Sequence, residues 1–201
     1  MLNGISVVNI REYLQNNDEL GEDILKEILS EFSCEKNPDV ERFLKEQAIE
    51  FTKKNQSVTY IVLSNRNAEV LGYFTLAIKP ISLKIDSISK TMARKISRVS
   101  EVNEFDGTYS LSAFLIAQLG KNYTDELNKR ISGEQLLEAA IATIRELQFR
   151  AGGMVTFLEA APEEKLLHFY RDENRFKLFG SRLAKEGLPE EHRLVQLLRV
   201  L

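Results

Sequence analysis

The sequence has few residues that could support metal or redox chemistry. Among 201 residues there is one cysteine, Cys34, so no internal disulfide can form and no second thiol exists for a zinc site. The two histidines, His168 and His192, have no second histidine or thiol at ligand spacing. We therefore predict a protein without a bound metal ion.

Long apolar runs and prolines are also scarce. No stretch approaches the roughly 20 apolar residues that span a bilayer, and the N-terminus has no charged leader followed by an apolar segment. The chain has only four prolines, and its 43% hydrophobic content is ordinary for a globular core. We expect a soluble, cytoplasmic protein that does not enter a membrane, folded as a single domain over residues 1–201. Whether it forms a homodimer stays open.

Positive charge is not in excess overall, because the formal net charge is −3. Cations are nevertheless concentrated between Lys79 and Arg98, where the chain also carries Lys84, Lys90, Arg94 and Lys95 against Asp86 alone. A stripe of this kind either faces an acidic partner or is a solvated helix face.

The apolar periodicity predicts an α/β protein with a mixed sheet. The predicted elements are a helical extension (1–30), a short strand near 31–33, a helix (38–54), a hairpin (59–63 and 70–77), a charged and partly helical insertion (80–106), a central strand (109–117), a polar loop (118–130), a helix ending at Gly152-Gly153, a strand (154–158), a helix opened by Pro162, and strands at 176–179 and 194–201. Asn37 is the expected N-cap of the helix at 38, with Pro38 in its first position.

The first stretch with chemical meaning joins the central strand to the next helix. After the loop, Ile131-Ser132-Gly133-Glu134 opens a helix, with Ser132 as N-cap and Gln135 completing a capping box. First-turn N–H groups lack intrahelical partners and the helix dipole favours anions, so this passage can hold a phosphate. Lys129 and Arg130 add positive charge beside it.

The second stretch is Leu166 to Lys177, an amphipathic helix that stops and passes directly into a strand. It carries Tyr170. A phenol stays protonated at neutral pH and can donate a proton, but a tyrosine at such spacing is also compatible with a core residue whose hydroxyl finds a backbone partner.

Together the two stretches resemble the GCN5-related N-acetyltransferase (GNAT) family. The resemblance implies an α/β fold with a mixed, mostly antiparallel sheet whose central strands splay apart, flanked by helices. It implies acetyl-CoA as cosubstrate, no metal, and Tyr170 as the catalytic donor to the CoA thiolate. Asn128, Ile131 and Glu163 depart from the residues usual in that family's motifs. The cofactor-binding residues it implies are Leu115, Ile116, Ala117, Lys129, Arg130, Ile131, Ser132, Gly133 and Glu134.

No residue is a clear general base for the acceptor amine. Glu159 ends a predicted strand, while Glu104 and Asp106 precede the central one. The simpler interpretation of each is a surface or cap residue, so we assign no general base.

Three hypotheses of function follow from the resemblance. The first is transfer of acetyl from acetyl-CoA to a primary amine of a small molecule or protein. The second is a toxin-type enzyme that acetylates aminoacyl-tRNA, because Phe32-Ser33-Cys34, Val40 to Lys45 with Ala48, and Ser57 to Tyr60 resemble the opening of such proteins. The third is a non-catalytic domain that keeps the fold and has lost the cofactor.

Overall fold

The computed structural model describes residues 4–15, 19–183 and 193–201. These residues form a mixed α/β fold whose paired strands are mostly antiparallel, as predicted. The strands are β1 (Ile5–Asn9), β2 (Val58–Ser64), β3 (Val70–Lys84), β4 (Val102–Asn103), β5 (Thr108–Lys121), β6 (Val155–Ala160), β7 (Lys177–Leu183) and β8 (Arg193–Val200). The α-helices are α1 (Arg11–Leu14), α2 (Glu19–Ser30), α3 (Pro38–Arg42), α4 (Ala48–Lys53), α5 (Lys90–Ile96), α6 (Gly133–Ala151) and α7 (Glu164–Leu167).

The chain divides into two compact units, residues 1–77 with 116–143 and residues 78–115 with 144–201. In the first unit the strand order is β1-β2-β3-β5. Its core includes Phe32 and Tyr73, whose rings meet edge to face at 5.2 Å, and the Tyr73 hydroxyl donates to the Val40 carbonyl at 2.6 Å. Gly120 on β5 is required here, because an added Cβ would lie 2.4 Å from the Val40 side chain.

In the second unit the strand order is β3-β5-β6-β8-β7, with β4 beside β5. The register of β6 and β8 pairs Phe157 with Leu198, both in a core that also holds Tyr109 and Ile96. Helix α5 packs on this core through Ile96 and its partly buried neighbours Met92 and Ala93. The single-domain expectation stays a prediction.

Local signals placed several elements correctly. The Asn37 side chain accepts from the Val40 N–H at 3.4 Å and Pro38 stands in the first turn, as predicted. The helix that follows is α-helical at both ends but contains a π-helical turn, Phe43–Gln47. Helix α6 ends before Gly152 and Gly153, both at positive φ, where glycine is strongly preferred.

Four predicted segments differ from the structure. Residues 1–30 are not only helical, because β1 pairs antiparallel with β2, and residues 31–33 form no strand. The insertion predicted from residue 80 begins later, since β3 continues through Pro80 to Lys84, with Ile81 and Leu83 buried in alternation. The loop predicted at 118–130 is shorter, because β5 runs to Lys121 and a 3₁₀ segment occupies 124–129.

Candidate functional site

The N-terminus of α6 has the predicted capping box. The Gln135 N–H donates to Ser132 Oγ at 3.0 Å, and the Ser132 N–H donates to Gln135 Oε1 at 2.8 Å. The Leu136 N–H donates to the Ser132 carbonyl at 3.1 Å and so begins the helical series. Within the described part of the chain, the Gly133 and Glu134 N–H groups have no acceptor. Two donors thus stay available at the positive end of a 19-residue helix.

The two cations that the sequence places beside this end are held by carboxylates. Lys129 forms an ion pair with Glu126, three residues earlier. Arg130 forms an ion pair with Glu69 and donates to Ser64 Oγ at 2.8 Å, so its guanidinium is fixed to the turn between β2 and β3. Their role in binding phosphate stays a prediction, and both would have to leave these partners to perform it.

Sequence analysis missed Lys121, at the end of β5. Its ammonium donates to the carbonyl of Ile131, the residue before the N-cap of α6, at 2.9 Å. Burial lowers the pKa of Lys121, and the positive charge of Lys36 lowers it further. Lys36 itself lies over the ring of Tyr123, 5.2 Å from its centroid. Neither lysine has a carboxylate partner among the described residues.

Asn122, the next residue, fixes the end of β5. Its side chain is almost fully buried and uses both polar atoms: Oδ1 accepts from the N–H groups of Ser33 and Thr124 at 3.0 and 3.1 Å, and Nδ2 donates to the Val70 carbonyl at 2.9 Å. These bonds hold the backbone that carries Lys121, because a buried amide without partners would be costly.

In the second unit, Tyr170 lies in a π-helical turn, His168–Glu173, that follows α7. The Asn174 N–H and side-chain amide both donate to the Phe169 carbonyl, at 3.1 and 2.8 Å, and close that turn. The Tyr170 ring contacts Phe169 and the fully buried Phe176, with centroids 5.0 and 6.0 Å apart. Single π-helical turns are rare and often occur at functional sites. The helix starts at Glu164 rather than at Pro162, with Glu163 at its N-cap.

The Tyr170 hydroxyl has no hydrogen-bond partner among the described residues, so Tyr170 is not a core tyrosine whose hydroxyl is bonded to one of their backbone groups. Burial raises the pKa of Tyr170 to about 12. The phenol is therefore neutral throughout the physiological range and can act as a donor.

The predicted cofactor strand is β5. Along it Leu115 is half-buried, Ile116 is buried and Ala117 is exposed. Just before them, the Phe114 carbonyl accepts from the hydroxyl of the fully buried Thr156 on β6, at 3.0 Å. A side-chain hydroxyl thus satisfies a main-chain acceptor between these two strands.

The candidate general bases differ in their surroundings. Glu159 on β6 accepts from Arg182 Nε at 2.7 Å, from Arg182 Nη2 at 2.5 Å and from the Gln196 amide at 2.9 Å. Burial opposes its ionisation, but the hydrogen bonds from Arg182 and Gln196 outweigh that effect and lower the pKa of Glu159. A carboxylate held in this way is a weak base. Glu104 is exposed, and Asp106 accepts from the Thr108 hydroxyl at 2.7 Å.

His168, the histidine that the structure describes, lies beside carboxylates rather than beside a second histidine or a thiol. His168 is exposed, with Nδ1 3.0 Å from Asp172 and Nε2 3.4 Å from Glu173. His192 lies outside the described residues. In residues 4–15, 19–183 and 193–201 there is no cluster of three metal-ligating side chains and no helix long and apolar enough to cross a bilayer.

Comparison by sequence finds no relative. No known protein-family profile matches the chain. No curated protein matches it either.

Comparison by structure finds many similar folds. A structure of AtaT complexed with acetyl-methionyl-tRNA has a TM-score of 0.61 at 16% identity, covering 95% of this chain and 93% of that one. A tyrosine-to-phenylalanine mutant of KacT has a TM-score of 0.62 at 16% identity, covering 98% and 95%. A similar mutant of the AtaT toxin, bound to acetyl-CoA and the C-terminus of the antitoxin AtaR, has a TM-score of 0.58 at 15% identity, covering 98% and 94%.

These similarities span nearly the whole of this chain and of each matched structure. The protein therefore has the fold of the GCN5-related N-acetyltransferases, in the form seen in the toxins AtaT and KacT.

Proposed function

We propose that this protein transfers the acetyl group of acetyl-CoA to a primary amine. The observation that carries the proposal is the N-terminus of α6. There the Gly133 and Glu134 N–H groups have no acceptor among the described residues, and the Lys121 ammonium lies close by, on the Ile131 carbonyl. Free donors, a helix dipole and an unpaired cation fit the diphosphate of CoA. Solved structures of this fold include toxins bound to acetyl-CoA.

We assign each residue of the candidate site a role in acetyl transfer. Gly133 and Glu134 bind phosphate through their N–H groups, with Lys121 supplying charge. The backbone of Leu115 to Ala117 on β5 binds the pantetheine arm. Tyr170 donates to the leaving thiolate; its place in the family motif supports this role, as does a hydroxyl without a hydrogen-bond partner in the part of the chain that the structure describes.

The chemistry requires a neutral amine. Its nitrogen attacks the thioester carbon, the carbonyl oxygen takes the negative charge, and the C–S bond breaks to release CoA thiolate, to which Tyr170 donates a hydrogen bond or proton. The amine proton goes to water in this proposal, because Glu159 is held by Arg182 and its pKa is lowered.

Calorimetric titration with acetyl-CoA tests the proposal directly. We expect one saturable site, and release of CoA when primary amines are added. A correctly folded protein that binds no acetyl-CoA would support the non-catalytic hypothesis instead.

A second candidate concerns the acceptor, which would be the amino group of an aminoacyl-tRNA. The observation that favours it is the cationic segment, residues 79–98, with six cations against Asp86 alone. All six are exposed, and none has a hydrogen bond or ion pair from its side chain to a described residue. They are Lys79, Lys84, Lys90, Arg94, Lys95 and Arg98.

Cations elsewhere in the chain are often neutralised internally. Lys53 pairs with Glu22, Lys45 with Glu41 and Arg182 with Glu159. A run of unpaired cations repels itself unless a polyanion binds it, and RNA phosphates do so with release of counterions.

Salt dependence distinguishes the two acceptor classes. If tRNA is the acceptor, its association constant should fall linearly with salt on a logarithmic scale. Replacing Lys90, Arg94 and Lys95 by glutamine should weaken binding and reduce that slope by about 0.9 for each phosphate that is no longer neutralised. Absence of salt-sensitive tRNA binding would leave a small molecule or a protein as acceptor.

A further inference from the structure

The turn between β4 and β5 presents an aromatic side chain entirely to solvent. Phe105 is 98% exposed. The turn around it is nevertheless well fixed: Asn103 Oδ1 accepts from the Phe105 N–H at 3.0 Å, and the Gly107 N–H donates to the Asn103 carbonyl at 2.9 Å. On its other side Asp106 accepts from the N–H and hydroxyl of Thr108.

The same turn is bonded to the cationic segment. The Ile85 N–H donates to the Gly107 carbonyl at 3.0 Å, and Lys84 directly precedes Ile85 at the end of β3. Ile85 is itself 39% exposed. An exposed aromatic ring, an exposed aliphatic side chain and an unpaired lysine thus belong to two backbone segments joined by a main-chain hydrogen bond.

Helix α5 adds further cations on its solvent side. Its buried side is formed by Met92, Ala93 and Ile96, which pack on the core of this unit. Lys90 and Arg94, four residues apart, therefore share the opposite face, where both are exposed.

We propose that Phe105 stacks on an unpaired nucleobase of an RNA whose phosphates contact the cationic segment. The inference rests on the aminoacyl-tRNA candidate and adds a contact to it. Proteins that bind single-stranded RNA combine a cationic track with aromatic rings, because every base has a π-face and each phosphate a negative charge.

The turn suits a base better than a protein surface. In the sequence Phe105 lies between Glu104 and Asp106, and the core of a protein interface is depleted of charged residues. Glu104 is also exposed and repels phosphate, so the uncharged base lies over the turn and the phosphates lie over Lys84 and α5. The fixed turn lowers the entropy cost of stacking, since the ring is already presented.

Two exposed phenylalanines of the same unit permit a matched comparison. Phe149 on α6 is 92% exposed and lies outside the cationic segment. Binding of a fluorescent tRNA and of a short single-stranded RNA is measured by anisotropy at one fixed salt concentration. We expect Phe105→Ala to weaken binding about tenfold, as removal of a base-stacking ring commonly does. Phe149→Ala should bind as the unmodified protein does, and Phe105→Trp should retain affinity.

The salt slope gives a second criterion. Stacking displaces no counterion, so Phe105→Ala should keep the slope of the unmodified protein, whereas charge removal at Lys90, Arg94 and Lys95 should reduce it. Phe105→Ala should also leave CoA release with a small amine unchanged. Thermal melting of each variant confirms folding.

Three results with the variants would overturn the proposal: equal RNA affinity in Phe105→Ala and the unmodified protein, equal reductions in the Phe105 and Phe149 variants, or an effect of Phe105→Ala on a protein acceptor without one on RNA. If the unmodified protein binds no RNA, the stacking proposal also fails. The acetyl-CoA titration on the same preparation then shows separately whether the acetyltransferase proposal stands.

Discussion

The ammonium group of Lys121 donates a hydrogen bond of 2.9 Å to the main-chain carbonyl of Ile131. This bond joins the last residue of β5 to the residue before the N-cap of α6. The cation next to the helix N-terminus therefore comes from the preceding strand, while Lys129 and Arg130, adjacent in sequence, are paired with carboxylates.

Lys121→Met should weaken acetyl-CoA binding about tenfold, because it removes a charge-assisted interaction with phosphate and frees the Ile131 carbonyl. Lys129→Met is the matched control and should have little effect, since Lys129 is exposed and paired with Glu126. Calorimetry gives the acetyl-CoA dissociation constants of the two variants and of the unmodified protein for this comparison. Equal effects of the two substitutions would contradict this assignment.

Gly133 should be required for the close approach of phosphate to the helix. It is not among the residues at positive φ, so alanine and valine can adopt its backbone conformation. We expect the Michaelis constant for acetyl-CoA to rise modestly in Gly133→Ala and strongly in Gly133→Val, because each added methyl group crowds the anion. An unchanged constant in folded Gly133→Val protein would place the phosphate elsewhere.

Tyr170→Phe should lower turnover by about 10²–10⁴-fold, the usual cost of losing a positioned proton donor. The ring contacts with Phe169 and Phe176 remain, so the melting temperature and the acetyl-CoA dissociation constant should change little. Steady-state rates and calorimetry on the same preparation separate chemistry from binding. A variant that turns over at the rate of the unmodified enzyme, with chemistry rate-limiting, would show that the tyrosine is structural.

Ionisation of Tyr170 should cause no decrease in turnover as the pH is raised to about 10. Burial raises the pKa of Tyr170 to about 12, so the neutral donor form persists over this whole range. The profile of kcat for the unmodified enzyme, with Tyr170→Phe as reference, tests this. If kcat instead decreases above about pH 8, and this decrease is absent from Tyr170→Phe, the pKa of the phenol is much lower than the structure indicates.

Glu159→Gln should lower the free energy of unfolding at neutral pH by about 1 kcal/mol, because Arg182 loses its ionised partner while staying half-exposed to water. The native pKa of Glu159 is lowered, so its ionisation stabilises the fold above the unfolded pKa of about 4.5, and this contribution is lost as pH falls through the lower native value. We expect the difference in the free energy of unfolding between the two proteins, measured by denaturant titration from pH 7 to pH 3, to decrease as the pH falls. Turnover of Glu159→Gln at neutral pH should be nearly unchanged. A large decrease would instead support Glu159 as the general base.

Much of the local structure was determined by short stretches of sequence. Asn37-Pro38 fixed the start of α3, and Ser132 with Gln135 fixed the start of α6, because a cap depends on residues within one helical turn. Gly152-Gly153 fixed the end of α6 in the same way. The boundary near Pro80 was wrong because residues 80–106 were interpreted as a charged insertion without a β pattern, whereas the alternation of Ile81 and Leu83 indicates that β3 continues.

Only the tertiary structure decided which charges are free. Arg130 is held by Glu69, 61 residues earlier in the chain, and Glu159 on β6 is held by Arg182 on β7, with β8 between the two strands. Such pairs depend on strand register and on the path of loops, which residue spacing alone does not specify. For the same reason the sequence identified Tyr170 as a candidate donor, but only the tertiary structure shows that its ring packs on Phe169 and Phe176 and that its hydroxyl has no partner among the described residues.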